Sequence, residues 1–395
     1  MNRRGDFDAV VVGGGAIGTA LALALARDGF ETALIESRAP KPWRAEDDLD
    51  LRVVALAFDA RELLDDLGVW ATIAAARIAR YRRMHVWDAS APGELTFDAS
   101  ERGEAALGWI IENRLIQHAL WQAAKEERSL RILSPAEVAA VENGADAAEV
   151  SLSDGTRMRA RAVIAADGAE SPVRKMLGIE ASGRDYAQRA VVAHVATARE
   201  HENTAWQRFN PGGPLAFLPL ADGRSSVVWS LPEAEAARIL ALGDAAFRNE
   251  LGCALDFRLG EIASTTSRAA FPLRMRLAEK YVAGRCALAG DAAHVVHPLA
   301  GQGMNLGFRD VACLRRVLRD ARERGSDIGA THVLRRYERE RRSENALAAR
   351  GLDTIERVFN LDNSLAAALR GFALAGADRV QLAKQFFMSA AAGRL

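Results

Sequence analysis

The chain has 395 residues, of which 49% are hydrophobic and 26% charged, the balance of an ordinary folded protein rather than a disordered or fibrous one. Lysine plus arginine and aspartate plus glutamate both total 52, so no global field recruits nucleic acid or an acidic partner, and any membrane contact has to be local. The cysteines, Cys253, Cys286 and Cys313, stand far apart without a C-x-x-C pair, which argues against a disulfide framework and for buried thiols in a reducing compartment.

Arg3 and Arg4 before an apolar run ending at Ala26 imitate a secretory leader, but Asp6, Asp8 and glycines 13, 14, 15 and 18 interrupt it. No other stretch approaches about 18 uninterrupted apolar residues, so no transmembrane helix is expected. The expectation is a cytoplasmic protein, with peripheral contact to the inner membrane. Residues 7–12 read as a central strand, 16–27 as a helix ended by Gly29, and 31–36 as a second strand, a βαβ start in a parallel sheet. Residues 60–67, closed by Gly68, read as a helix; 84–87 and 94–97 flank Pro92-Gly93 as a hairpin; 109–125 read as helical. Strand-like runs follow at 161–166, 190–196, 215–220 and 225–231, then a short helix at 233–241. Residues 285–289 read as a strand and 301–319 as a helix.

This order predicts an α/β protein with a discontinuous Rossmann-like dinucleotide-binding domain (1–75, 100–180 and 272–330). A mostly antiparallel β-sheet substrate domain (76–99 and 181–271) is inserted in it, and a C-terminal helical segment (331–395) follows. Arg335, Arg336, Arg339, Arg341 and Arg342 alternate with Glu338, Glu340 and Glu344, the pattern of a solvated, salt-bridged helix face. Residues 361–395 are apolar enough to pack on the protein body, a second subunit or lipid.

Gly13-x-Gly15-x-x-Gly18 follows a strand and opens a helix, and Glu36 ends the next strand. Gly13 permits the tight turn, Gly15 lets backbone approach a pyrophosphate, Gly18 lets helix and strand pack closely, and Glu36 accepts from ribose hydroxyls. The motif alone does not separate FAD from NAD. Farther on, a strand ends in Gly290-Asp291, and His297-Pro298-Leu299-Ala300-Gly301-Gln302-Gly303-Met304-Asn305 leads into a helix. An Asp at the carboxyl end of a parallel strand faces the ligand crevice, where it can hold flavin ribityl hydroxyls. Gly301 and Gly303 let the helix start against the ring. Asp291, His294 and His297 also have metal-like spacing, but the glycine-rich continuation suits a cofactor rather than a metal, so no metal is expected.

These segments resemble the Gly-Asp fingerprint of the class A FAD-dependent aromatic monooxygenases, whose archetype is para-hydroxybenzoate hydroxylase. Ala166-Asp167-Gly168-Ala169-Glu170-Ser171-Pro172-Val173-Arg174 is similar to the family's middle signature, which nominates Asp167 and Arg174 for the pyrophosphate and NAD(P)H. Leu51-Arg52-Val53 resembles its FAD-contacting arginine loop, and Glu112-Asn113-Arg114 its second arginine. Within the family, the run from His297 to Gly307 and Leu215-Ala216-Phe217-Leu218-Pro219-Leu220 are similar to the ubiquinone-biosynthesis hydroxylases. His85-Val86-Trp87-Asp88 looks most like the 2-polyprenylphenol branch that acts at ring C5.

The resemblance implies FAD, NAD(P)H as co-substrate, and hydroxylation of a polyprenylated phenol by O2 through a flavin C4a-hydroperoxide. It further implies a ubiquinone-biosynthesis complex, a membrane surface or a homo-oligomer as partners. Candidates for the ring pocket are His297, Pro298 and Phe217; a core histidine that orients the Gly-Asp loop is the other reading of His297, and strand core that of Phe217. Alternatives are a class A hydroxylase of a small soluble aromatic, an NAD-linked dehydrogenase, and a non-catalytic FAD-bearing scaffold.

Overall fold

The computed structural model describes residues 6–90, 93–297 and 301–359. Three sheets organise them. The first has a parallel centre in the order Leu130–Leu133, Thr32–Ile35, Asp6–Val12, Arg157–Ala165, Cys286–Leu288, with antiparallel additions at Val138–Asn143, Ala148–Leu152 and Val282–Ala283. Its central strands are buried on both faces, which is why Val10, Val11 and Leu34 read as an unbroken apolar run rather than an alternation. Helix Ala16–Arg27 is buried almost all round, packed against helices Asn113–Glu126 and Gln302–Glu323, so alanine and leucine occupy every side of it.

The second sheet, nine-stranded among the described residues, has the path His294–Val295, Ala269–Ala278, Ala181–Thr197, Ser225–Pro232, Gly213–Pro219, Thr204–Asn210, Arg83–Asp88, Glu94–Asp98, with Ile262–Thr265 also on Ala181–Thr197. It is antiparallel except where Thr204–Asn210 runs parallel to Arg83–Asp88. One face is covered by helices Glu233–Ala241 and Asp244–Ala254: Val191, Phe217, Val227 and Trp229 pack there with Ile239, Phe247 and Leu251. The other face carries the alternate residues, Ala190, Leu218 and Val228 among them. A third sheet, Val53–Leu56, Gly108–Glu112, Ala79–Tyr81, lies between the first two along the chain.

Several expectations need correction. Residues 108–112 form a strand, buried at every position, and the helix begins only at Asn113. Ala269–Ala278 carries the antiparallel sheet past the boundary expected at 271. Cys253 is exposed, whereas Cys286 and Cys313 are buried thiols whose ionisation burial pushes up to about 12. The tail beyond residue 359 lies outside the described residues; before it, helix Thr331–Phe359 packs through Val333, Leu334 and Tyr337 into the main core. No helix among the described residues is long and apolar enough to cross a membrane.

Candidate active site

The first turn follows Asp6–Val12. Gly13 adopts φ +108, and a Cβ there would sit 2.3 Å from the Ala166 carbonyl oxygen; one on Gly18 would sit 1.9 Å from the Gly13 oxygen. These two glycines answer to protein packing. Gly15 does not: nothing lies within 4 Å of its Cβ position, so what a side chain would obstruct is the space in front of the helix. Glu36 closes the turn, accepting from Gly14 N at 2.5 Å and from Arg38 N at 2.8 Å, and Gln117 Nε2 donates to Gly14 O from the neighbouring helix. Arg114 stands one turn earlier on that helix, with its Nε buried and without a protein partner.

The second segment leads from strand Arg157–Ala165 of the first sheet to Ala181–Thr197 of the second. Asp167 follows Arg157–Ala165; its Oδ2 accepts from Val173 N at 3.1 Å, its buried Oδ1 has no hydrogen-bond partner among the described residues, and burial raises its carboxyl above the usual range against the pull of Ser171 and Val173. Gly168 takes φ +88 with open space around it. Arg174 is buried and donates to the Ala292 carbonyl at 2.9 Å, tying this segment to the Gly290–Asp291 turn. A cavity of about 240 Å³ beside it is lined by Glu170, Arg174, Lys175, Ile179 and Arg276.

The third segment begins at Cys286–Leu288. Gly290 takes φ +59, and Asp291 beyond it is open to solvent yet walled by protein. Desolvation raises its carboxyl, while His294 and Arg52 pull it back. Arg52 is exposed and lies with its guanidinium carbon 4.7 Å from the Phe271 ring centroid, on the face of the nine-stranded sheet opposite helices Glu233–Ala241 and Asp244–Ala254. Gly301 takes φ +63 at the start of helix Gln302–Glu323, with its Cβ position 3.1 Å from Ala55. Gly303 meets only Val296, at 3.9 Å, and Met304 is half-buried against the core. Asn305 is fully committed: Oδ1 accepts from Ala57 N at 3.0 Å and Nδ2 donates to Ala55 O at 2.9 Å. Its side chain pins the helix to strand Val53–Leu56.

His297 is buried edge-on against Tyr186 at 5.0 Å, and burial lowers its proton affinity to about 4, so it is neutral at physiological pH. That placement suits orientation rather than proton abstraction. Phe217 faces the helix-covered core, away from Arg52; its neighbour Leu218 faces the other way. Period-two alternation was legible, but not which half of it meets the cofactor side. Pro298 lies outside the described residues. Asp291, His294 and His297 do not converge, since His294 Nε2 lies 2.6 Å from Asp310 and His297 lies on Tyr186; among the described residues no group of three or more metal-binding side chains forms.

Sequence reasoning missed Glu112. Its carboxylate, 1% exposed, accepts from Trp43 Nε1, Asp50 N and Arg77 Nε at 3.2, 2.8 and 2.9 Å, fixing the loop that delivers Arg52. The acid beside Arg114 was visible, but its partners are far away in the chain.

Three turns therefore converge on one crevice at the carboxyl ends of the parallel strands, with glycine where a ligand needs room and with two buried polar atoms, Arg114 Nε and Asp167 Oδ1, that no group among the described residues satisfies. This is the fold of the flavin monooxygenases: p-nitrophenol 4-monooxygenase PnpA from Pseudomonas putida DLL-E4 superposes with a TM-score of 0.79 at 19% identity, covering 99% of this chain and 100% of that one. The model of the FAD binding domain family matches residues 6–351. Two relatives match almost throughout: 3-demethoxyubiquinol 3-hydroxylase of Escherichia coli is 37% identical over 97% of both chains, and ubiquinone hydroxylase UbiL of Rhodospirillum rubrum is 35% identical over 98% of this chain and 90% of its own. The chain belongs to this family of FAD-dependent monooxygenases, alongside the hydroxylases of ubiquinone biosynthesis.

Proposed function

We propose that the protein hydroxylates the ring of a polyprenylated phenol or quinol in ubiquinone biosynthesis, using FAD, NAD(P)H and O2. The observation that carries this reading is the 37% identity to 3-demethoxyubiquinol 3-hydroxylase over 97% of both chains. That relative's name favours a demethoxyubiquinol-type substrate; the ring C5 reading, supported by His85-Val86-Trp87-Asp88, is second.

When bound, the flavin supplies hydride acceptance and oxygen activation. The chain's own residues bind and shield. The helix that opens at Gly15 would offer its first N–H groups and positive dipole end to the pyrophosphate, and Glu36 would accept from the ribose hydroxyls. Arg114 Nε and Asp167 Oδ1, without a partner among the described residues, would find theirs in the bound cofactor. Asp291 would hold ribityl hydroxyls, its carboxyl raised by the protein that walls it. The helix N-terminus after Gly301 and Gly303 favours negative charge on the ring edge, by roughly 0.3–2 kcal/mol. Lys175 and Arg276, with Arg174 in the wall of the small cavity, offer NAD(P)H a charged landing place without a second nucleotide fold.

The substrate ring would lie against the sheet face opposite helices Glu233–Ala241 and Asp244–Ala254, near Val228 and Phe271, with Leu218 packed against Leu49, Ala79 and Ile110 beside it. His297 holds the adjoining loop and moves no proton. A prenyl tail contributes roughly 0.8 kcal/mol per buried CH2, so peripheral contact with the inner membrane from the cytoplasmic side, a ubiquinone-biosynthesis complex or a homo-oligomer belongs to the proposal.

The test is aerobic turnover of the FAD-loaded protein with NAD(P)H under ¹⁸O2, offering short-chain demethoxyubiquinol and 2-prenylphenol separately. Incorporation of one labelled oxygen into the ring of the former supports the reading, and into the latter alone moves it to C5. Turnover of small soluble phenols with both prenylated rings ignored would sink it.

A further inference from the structure

Asp310 stands in the middle of helix Gln302–Glu323 with no exposed surface. Its Oδ2 accepts from Gly290 N at 3.0 Å and lies 2.6 Å from His294 Nε2; its Oδ1 accepts from Arg341 Nε at 2.9 Å and Asn345 Nδ2 at 3.1 Å. Arg341 also donates to Asn345 Oδ1 at 2.7 Å. Burial opposes the charge, but His294 and Arg341 hold the carboxyl below its usual range. A buried carboxylate is tolerated only when its lone pairs are saturated, and here the four donors come from three separate places. Two are on the Gly290 turn and the strand after it; the others are on helix Thr331–Phe359, near its middle.

We propose that Asp310 is a positioning residue of the cofactor site, setting the Gly290–Asp291 turn through Gly290 N and His294 and making that setting conditional on the Thr331–Phe359 helix through Arg341 and Asn345. The proposal rests on the reading that Asp291 holds the flavin. Gly290 is left-handed and its Cβ position is 3.2 Å from Ile17, so the turn is confined sterically on one side. Among the described residues its N–H has one acceptor, Asp310. An amide at position 310 cannot substitute. Its NH2 must face either the Gly290 and His294 donors or the Arg341 and Asn345 donors, so one side of the junction meets donor against donor. The helix that supplies Arg341 touches neither Gly290 nor Asp291 in these bonds, yet it completes the acceptor that both depend on.

FAD titrated into apoprotein and read by flavin fluorescence tests this, with the visible circular dichroism of the saturated flavin as a second readout. Asp310→Asn is expected to weaken FAD binding at least about tenfold and to alter the dichroic envelope of the flavin that remains bound. Arg341→Lys, which keeps Asp310, its charge partner and the turn, is expected to move both readouts in the same direction. Arg336→Ala removes a surface pair with Asp320 across the same two helices and is expected to leave both unchanged. If Asp310→Asn does not fold, Arg341→Lys decides. Wild-type affinity and dichroism in Arg341→Lys, or in a folded Asp310→Asn, would overturn the proposal. Asp291→Ala separates the two readings: wild-type affinity in that variant removes the flavin assignment of Asp291 itself, whatever the others do.

Discussion

The turn at residues 13–18 and the turn at Gly290 serve one proposed ligand but draw on different ranges of the chain. The first is local: Gly13 and Gly18 pack on each other and on Ala166, and Glu36 reaches back to Gly14. The second is assembled from afar, with Arg174 on Ala292, Asp310 on Gly290, and Asn305 fastening the next helix to Val53–Leu56. Short-range turns depend on what a residue lacks, namely a Cβ; long-range turns depend on what buried polar side chains hold. Substitutions should therefore fail differently in the two.

The largest effect is expected at Gly18→Ala. Its new Cβ meets a backbone oxygen that cannot yield, so apoprotein stability should fall by roughly 3 kcal/mol, the upper end of overpacking, in urea unfolding without FAD. An unchanged midpoint would mean the first turn is not packing-limited. Next comes His297, beside the second turn. The unfolded chain takes up its proton near 6.5 and the folded one only near 4. Its contribution is thus complete above pH 6.5 and fades as pH falls toward 4, by up to about 3 kcal/mol. Urea midpoints at pH 7 and 5 should separate more for wild type than for His297→Gln, and equal separations would remove His297 from the account.

Asn305→Ala should cost about 2 kcal/mol by stranding Ala57 N and Ala55 O, and the loss should appear in apoprotein and holoprotein alike. A variant that lost FAD affinity alone would instead make Asn305 a cofactor ligand. The smallest stability change belongs to Gly15→Ala, whose Cβ meets no protein atom. Apoprotein stability should hold while FAD binding weakens about tenfold, or about 1.4 kcal/mol. Loss of stability without loss of affinity would erase the contrast between Gly15 and its two neighbours.

This division also explains what could be read from the chain. Helix Ala16–Arg27 and helix Glu233–Ala241 were legible to the residue, because propensity and glycine punctuation act over a few positions. Residues 109–112 read as helix in the sequence but form strand, because a short, fully buried apolar run has no period to distinguish the two forms. Asp310 reads as one more polar residue of an amphipathic helix until Arg341 and Asn345 arrive from the next one. Glu112 likewise has no signal of its own, since Trp43, Asp50 and Arg77 become its partners only after folding. Phe217 shows the same limit in a strand, where alternation gives two faces and only the helices of 233–254 say which is covered.

Ala289 to Ala293 is all that separates Cys286–Leu288, hydrogen-bonded in the parallel sheet, from His294–Val295, hydrogen-bonded in the antiparallel one. Five residues reach at most ~3.3–3.6 Å each, so this segment is a short tether between the two sheets with the Gly290 turn strung along it. The nine-stranded sheet is therefore not a cassette. Its strands come from Arg83–Asp88 and Glu94–Asp98, from the stretch between Ala181 and Ala278, and from His294–Val295. A chimera that exchanges substrate domains between relatives must carry all of these across together, and with the last pair goes the histidine that faces Asp310.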